Sequence, residues 1–61
     1  MSYSMECEDG VEILVQPIGS NRISLSLCDQ NSGESVGTWM NKQECQQLIE
    51  QLMLVCERLQ E

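Results

Sequence analysis

Hydrophobic and polar residues alternate through the first two-thirds of the chain, and the pattern then changes to a helical period. The alternations Tyr3-Met5-Cys7, Val11-Ile13-Val15 and Ile23-Leu25-Leu27 have the two-residue period of half-buried strands. Turn signals divide them: "EDG" at 8–10, "PIGSN" at 17–21 and "NSG" at 31–33. The pattern predicts strands over 3–8, 11–16, 22–28 and 34–39. A two-residue Asp-Gly turn between the first two would pair Glu8 with Val11 and set Met5 and Val11 on opposite faces. A three-residue loop Glu8-Asp9-Gly10, with Gly10 in the left-handed position of a bulge, instead pairs Cys7 with Val11, Met5 with Ile13 and Tyr3 with Val15. All six then share one face. Ile23, Leu25 and Leu27 extend it, followed less regularly by Val36, Thr38 and Met40.

From Asn41 onward the chain reads as a helix over 42–60. Asn41 is a good N-cap, Glu44 completes a capping-box arrangement, and Met40 with Cys45 would form the staple across it. Cys45, Leu48, Leu52, Val55 and Leu59 recur at helical spacing, flanked by Ile49 and Cys56, which makes an amphipathic stripe. The fold class expected is α+β: a single domain over 1–61, an antiparallel β-meander of three to four strands packed against one C-terminal α-helix. The stripe would also serve a helix pair in a homodimer. Covering the sheet is the preferred arrangement, because the sheet otherwise has no partner for its face.

The charges complicate this picture. Ten acidic residues face only Arg22, Lys42 and Arg58, a net charge of -7. In the bulged register Glu6 lies directly opposite Glu12, a like-charge pair that destabilises a sheet by a few tenths of a kcal/mol or more. Glu8 and Asp9 sit at the adjacent turn. On the helix, Glu50, Glu57 and Glu61 fall on one exposed stripe with Leu54 between them, and Glu57 and Glu61 are like-charged neighbours. In the same register Leu14 lies beside Ser24, with Trp39 on the other side of Ser24, all facing outward. A one-residue slip of the last strand would turn Trp39 inward. As the only tryptophan in a chain without phenylalanine, it is expected in the core; outside, it and Leu14 would be apolar anchors beside an acidic rim.

Two explanations of the acidity stand side by side. One is solubility. The other is a surface shaped for a cationic site: a body about 27 Å across carries about half the charge of duplex DNA of that length. Direct binding of nucleic acid or of anionic membranes is not expected of such a surface. No apolar run is long enough to span a bilayer and no signal-peptide layout begins the chain, so a cytoplasmic protein is expected. Its four cysteines then read as reduced, buried, small hydrophobes.

Catalysis is not expected. The chain has no histidine, no serine with a recognisable base, and no electropositive setting for a cysteine nucleophile. No cofactor or metal site is expected either. The cysteines lack the close spacing of zinc ligands, and Cys45 and Cys56 stand some 16 Å apart along a helix. "DQNSGES" at 29–35 lacks the closing glutamate of a calcium loop and reads as a turn.

With this size, this acidity and a bare meander-plus-helix, the chain resembles the small acidic phage-encoded anti-CRISPR proteins. The residues that carry the likeness are Glu6, Glu8, Asp9, Glu12, Glu50, Glu57 and Glu61. The resemblance implies a stoichiometric inhibitor in the bacterial host cytoplasm that binds a basic nucleic-acid-handling protein, such as a CRISPR effector subunit, and occupies its DNA channel by partial mimicry. Leu14 and Leu54 join these acids as candidate partner-binding residues. The alternative is a small structural or adaptor homodimer whose acidity serves solubility.

Overall fold

The computed structural model describes residues 1–60 of the chain. Four strands form one antiparallel sheet in sequence order: β1 (Tyr3–Glu6), β2 (Val11–Ile18), β3 (Arg22–Asp29) and β4 (Ser35–Asn41). One helix, α1 (Lys42–Cys56), follows. The α+β meander with its C-terminal helix is thus the architecture of the protein.

The first hairpin has the expected geometry. Gly10 takes φ 89°, and its N–H donates to the Cys7 carbonyl at 3.0 Å, while the Cys7 N–H donates to the Val11 carbonyl at 2.8 Å. Tyr3 pairs with Val15, Met5 with Ile13 and Glu6 with Glu12. Across the next strands Ile13 pairs with Leu27 and Leu27 with Val36, Val15 with Leu25 and Leu25 with Thr38, and Pro17 with Ile23 and Ile23 with Met40. One sheet face is therefore apolar from edge to edge.

One pairing departs from the expected register, and one expected core residue lies outside. Leu14 pairs with Ser26, not Ser24, because β2 and β3 continue their ladder to the Ile18–Arg22 pair and the tight turn sets the register. Trp39 does sit opposite Ser24. It lies on the outer face, 60% exposed, with the Arg22 guanidinium 4.8 Å from its ring centroid. The alternation that points Met40 inward points Trp39 outward, and this overrides the preference of a large aromatic for the core.

The helix starts as expected. The Asn41 side chain accepts from the Glu44 N–H at 2.8 Å, and the Glu44 carboxylate accepts from the Asn41 N–H at 3.0 Å. It stops at Cys56, short of residue 60. There the Arg58 and Leu59 N–H groups donate to Val55 and Cys56, in the tighter three-residue pattern of a fraying end. The last turn has no basic residue, and Glu57 sits as the C-cap at the negative end of the helix dipole. Leu59 therefore falls outside the helix.

The packing of helix on sheet is confined to one end. Asn41 is both the last residue of β4 and the N-cap of α1, so no loop residue is available to turn the helix back across the sheet. α1 approaches only β3 and β4. Between its first two turns and the sheet lies an open cleft of about 440 Å³, with Cys45 and Ile49 on one side and Pro17 and Ile23 on the other. Among the described residues none is buried. Cys7, Cys28 and Cys45 are half-buried free thiols and Cys56 is exposed, so the expected burial of the cysteines is not reached. The Cα radius of gyration is 13.0 Å, against about 10.5 Å for a compact chain of this length.

Candidate functional site

In a meander the first and third turns fall at the same end of the sheet. Here they also touch: the Gln30 N–H donates to the Gly10 carbonyl at 3.0 Å, and Gln30 Nε2 donates to Glu12 Oε1 at 3.2 Å. Glu6, Glu8, Asp9 and Glu12 of the first hairpin are thereby joined by Asp29 and Glu34 of the third turn. Neither of these two stood out in the sequence. The signal that finds them is strand order, because residues flanking alternate turns of a meander must meet.

Within this end the backbone holds the acids in place. Asp9 Oδ1 accepts from the Val11 N–H at 3.1 Å and Asp29 Oδ1 from the Asn31 N–H at 2.9 Å, each two residues ahead. Such turns suit aspartate, whose short carboxylate reaches its own chain. The donors to Asp9, Glu12 and Asp29 are neutral amides, so these bonds leave the negative charge in place. Glu6 and Glu12 face each other across β1 and β2 on the polar side of the sheet. Leu14, 39% exposed, follows Glu12 on that side, two residues along β2.

The opposite end holds two cations against one carboxylate, Glu44 of the capping box. Arg22 begins β3 and Lys42 begins α1, and both line the cleft between helix and sheet. Two of the three basic residues are thus a full strand length from the acidic turns. The protein is polarised along its strands.

The helical members of the sequence-derived set lie apart from the hairpin. Glu50 and Leu54 are exposed on α1, which starts from the basic end, and Glu57 is its C-cap. The hairpin acids and the helix acids are not one surface. Glu61 lies outside the described residues.

The other notable surface is apolar. Tyr3, Met5, Leu27 and Val36 on the sheet and Ile49, Leu52 and Val55 on the helix are all exposed, Val36 by 66% and Leu52 by 61%. Among the described residues no three histidine, cysteine, aspartate or glutamate side chains converge as a metal site would require, and no helix is long and apolar enough to cross a membrane. Comparison of the chain with protein-family models, curated proteins and solved structures finds no match.

Proposed function

We propose that this chain is a non-enzymatic binding protein that sets its acidic hairpin end into a cationic, nucleic-acid-handling site on a partner protein. The observation that carries this reading is the convergence of Glu6, Glu8, Asp9, Glu12, Asp29 and Glu34 on one end of a four-stranded sheet. Four strands span about 14 Å between the outer two, at about 4.8 Å per gap. Duplex DNA of that length carries about eight charges. Six carboxylates over the same span come to three-quarters of that number, divided between the two faces: Glu6 and Glu12 lie on the polar face, and Asp29 and Glu34 line a hollow on the apolar one with Val11, Leu27 and Val36.

The repulsion within this end raises the free energy of the isolated protein, and a lysine- or arginine-lined groove would relieve it. Leu14, beside Glu12 on the polar face, offers a small apolar anchor at the rim. The channels of CRISPR effectors are sites of this chemistry. A phage-encoded inhibitor acting in the bacterial cytoplasm is the concrete form of the reading.

The test is capture of the partner from bacterial lysate at low salt, followed by measurement of the purified pair. Association should weaken steeply as salt rises and should be competed by duplex DNA. The double variant Glu6→Lys/Glu12→Lys should lose binding while keeping its circular dichroism spectrum. Binding that survives the double reversal, or is indifferent to duplex DNA, overturns the reading.

A further inference from the structure

The surface area of the chain is too large for a protein that works alone. A folded monomer of 6.9 kDa has an accessible surface of about 4,000 Å². This chain exposes 5483 Å², an excess of about 1,500 Å² over that expectation. A standard interface takes about 800 Å² from each partner, and obligate homodimers take about 1,000–2,500 Å². The excess falls within the obligate range.

Its location is equally specific. The sheet has an apolar face with no helix across it, and the helix has an apolar stripe with no sheet beneath most of it. Beyond the residues that line the cleft at the basic end, Leu27 and Val36 on the sheet and Leu52 and Val55 on the helix are exposed. Each surface is the kind of partner the other lacks. The direct strand-to-helix junction at Asn41 keeps a single chain from bringing them together.

We infer that a second copy of this chain covers the apolar face: the protein is a two-fold homodimer in which α1 of each copy seats on the sheet of the other. Charge selects the orientation. Acidic end against acidic end would gather twelve carboxylates. The antiparallel arrangement instead brings Arg22 and Lys42 of each copy to the acidic turns of the other, and leaves those turns with excess negative charge. The inference rests on the apolar surfaces and does not depend on the acidic end docking into another protein.

Sedimentation equilibrium of the 61-residue chain tests it. The expected result is a doubled mass at micromolar concentration and a melting temperature that rises with concentration. Leu52→Glu and Val36→Glu, each at a site exposed in the single chain, should weaken self-association at least a hundredfold. Leu54→Glu, on the opposite side of the helix, should leave it within a fewfold of the parent. Lys42→Glu, at a helix N-terminus that tolerates acid well, should weaken it about tenfold in low salt and hardly at all in 1 M salt. A monomer at 100 µM whose melting temperature is independent of concentration overturns the inference. So does a dimer indifferent to both Leu52→Glu and Val36→Glu, which would mean that another surface is used. Self-association strengthened or unchanged by Lys42→Glu overturns the antiparallel orientation. Should Leu52→Glu fail to fold, the parent's mass and the concentration dependence of its melting decide the question alone.

Discussion

Replacing Glu6 by lysine tests whether the acidic hairpin is held together against its own repulsion. Glu6 is the better half of the pair to change, because Glu12 also accepts a hydrogen bond from Gln30 that should be kept. Directly opposed residues on neighbouring strands have Cβ atoms about 5 Å apart, which puts the two carboxylates about 6 Å from each other. In water that separation is worth about 0.7 kcal/mol of repulsion. The Debye length of about 10 Å at 0.1 M salt reduces it to about 0.4 kcal/mol. Lysine reverses the sign, so the full swing is about 0.8 kcal/mol of stabilisation. A chain of this length has an unfolding entropy of about 0.13 kcal/mol/K, so the melting temperature should rise by about 6 °C. Glu6→Gln should give about half that. The assay is thermal unfolding by circular dichroism at one fixed protein concentration, in 0.1 M and in 1 M salt. At 1 M the Debye length of about 3 Å should shrink the swing to about 0.2 kcal/mol. A Glu6→Lys protein that melts lower than the parent, or whose gain is the same in both salts, refutes the reasoning.

Other substitutions probe the parts that hold this end and the helix in place. Asn41→Ala removes the cap of α1 and should lower stability by about 1 kcal/mol in urea unfolding, while Asn41→Ser should keep most of it. Gly10→Ala should lose about 1–2 kcal/mol for its left-handed backbone alone. It should lose more than Gly19→Ala, since the φ of 89° at Gly10 lies further from the left-handed well at about +57° than the 63° at Gly19, and a Cβ at Gly10 would also make the exposed Asn31 amide turn aside. Arg22→Ala should shift the emission of the single tryptophan and cost about 0.5–1 kcal/mol, the worth of an exposed cation over an aromatic ring.

Much of the fold was legible in the pattern of residues. Alternation and one glycine were enough to set the bulged first hairpin, because a shift of one residue would have turned Met5, Ile13 and Val15 to the wrong face. The opposition of Glu6 and Glu12 followed from that register. The helix start was legible for the same reason, since a cap is a contact between residues three apart. Trp39 was harder, because composition favoured the core and strand parity favoured the outside. Parity prevailed, and Arg22 shields the exposed ring. The early end of α1 comes from Glu57 and the missing cations of the last turn, which a hydrophobic stripe running on to Leu59 conceals.

What the chain determined by itself was local: which residues alternate, which cap, which turn, and hence which face of each element is apolar. Tertiary structure alone decided where those faces go. With Asn41 serving strand and helix at once, no residue is left to reverse the chain, so the helix departs from the end of the sheet and both apolar surfaces stay open. The same three-dimensional arrangement carries Asp29 and Glu34 to the first hairpin and leaves Arg22 and Lys42 at the far end. Periodicity is a property of neighbours in sequence, whereas charge polarity and an uncovered face depend on how rigid elements are joined.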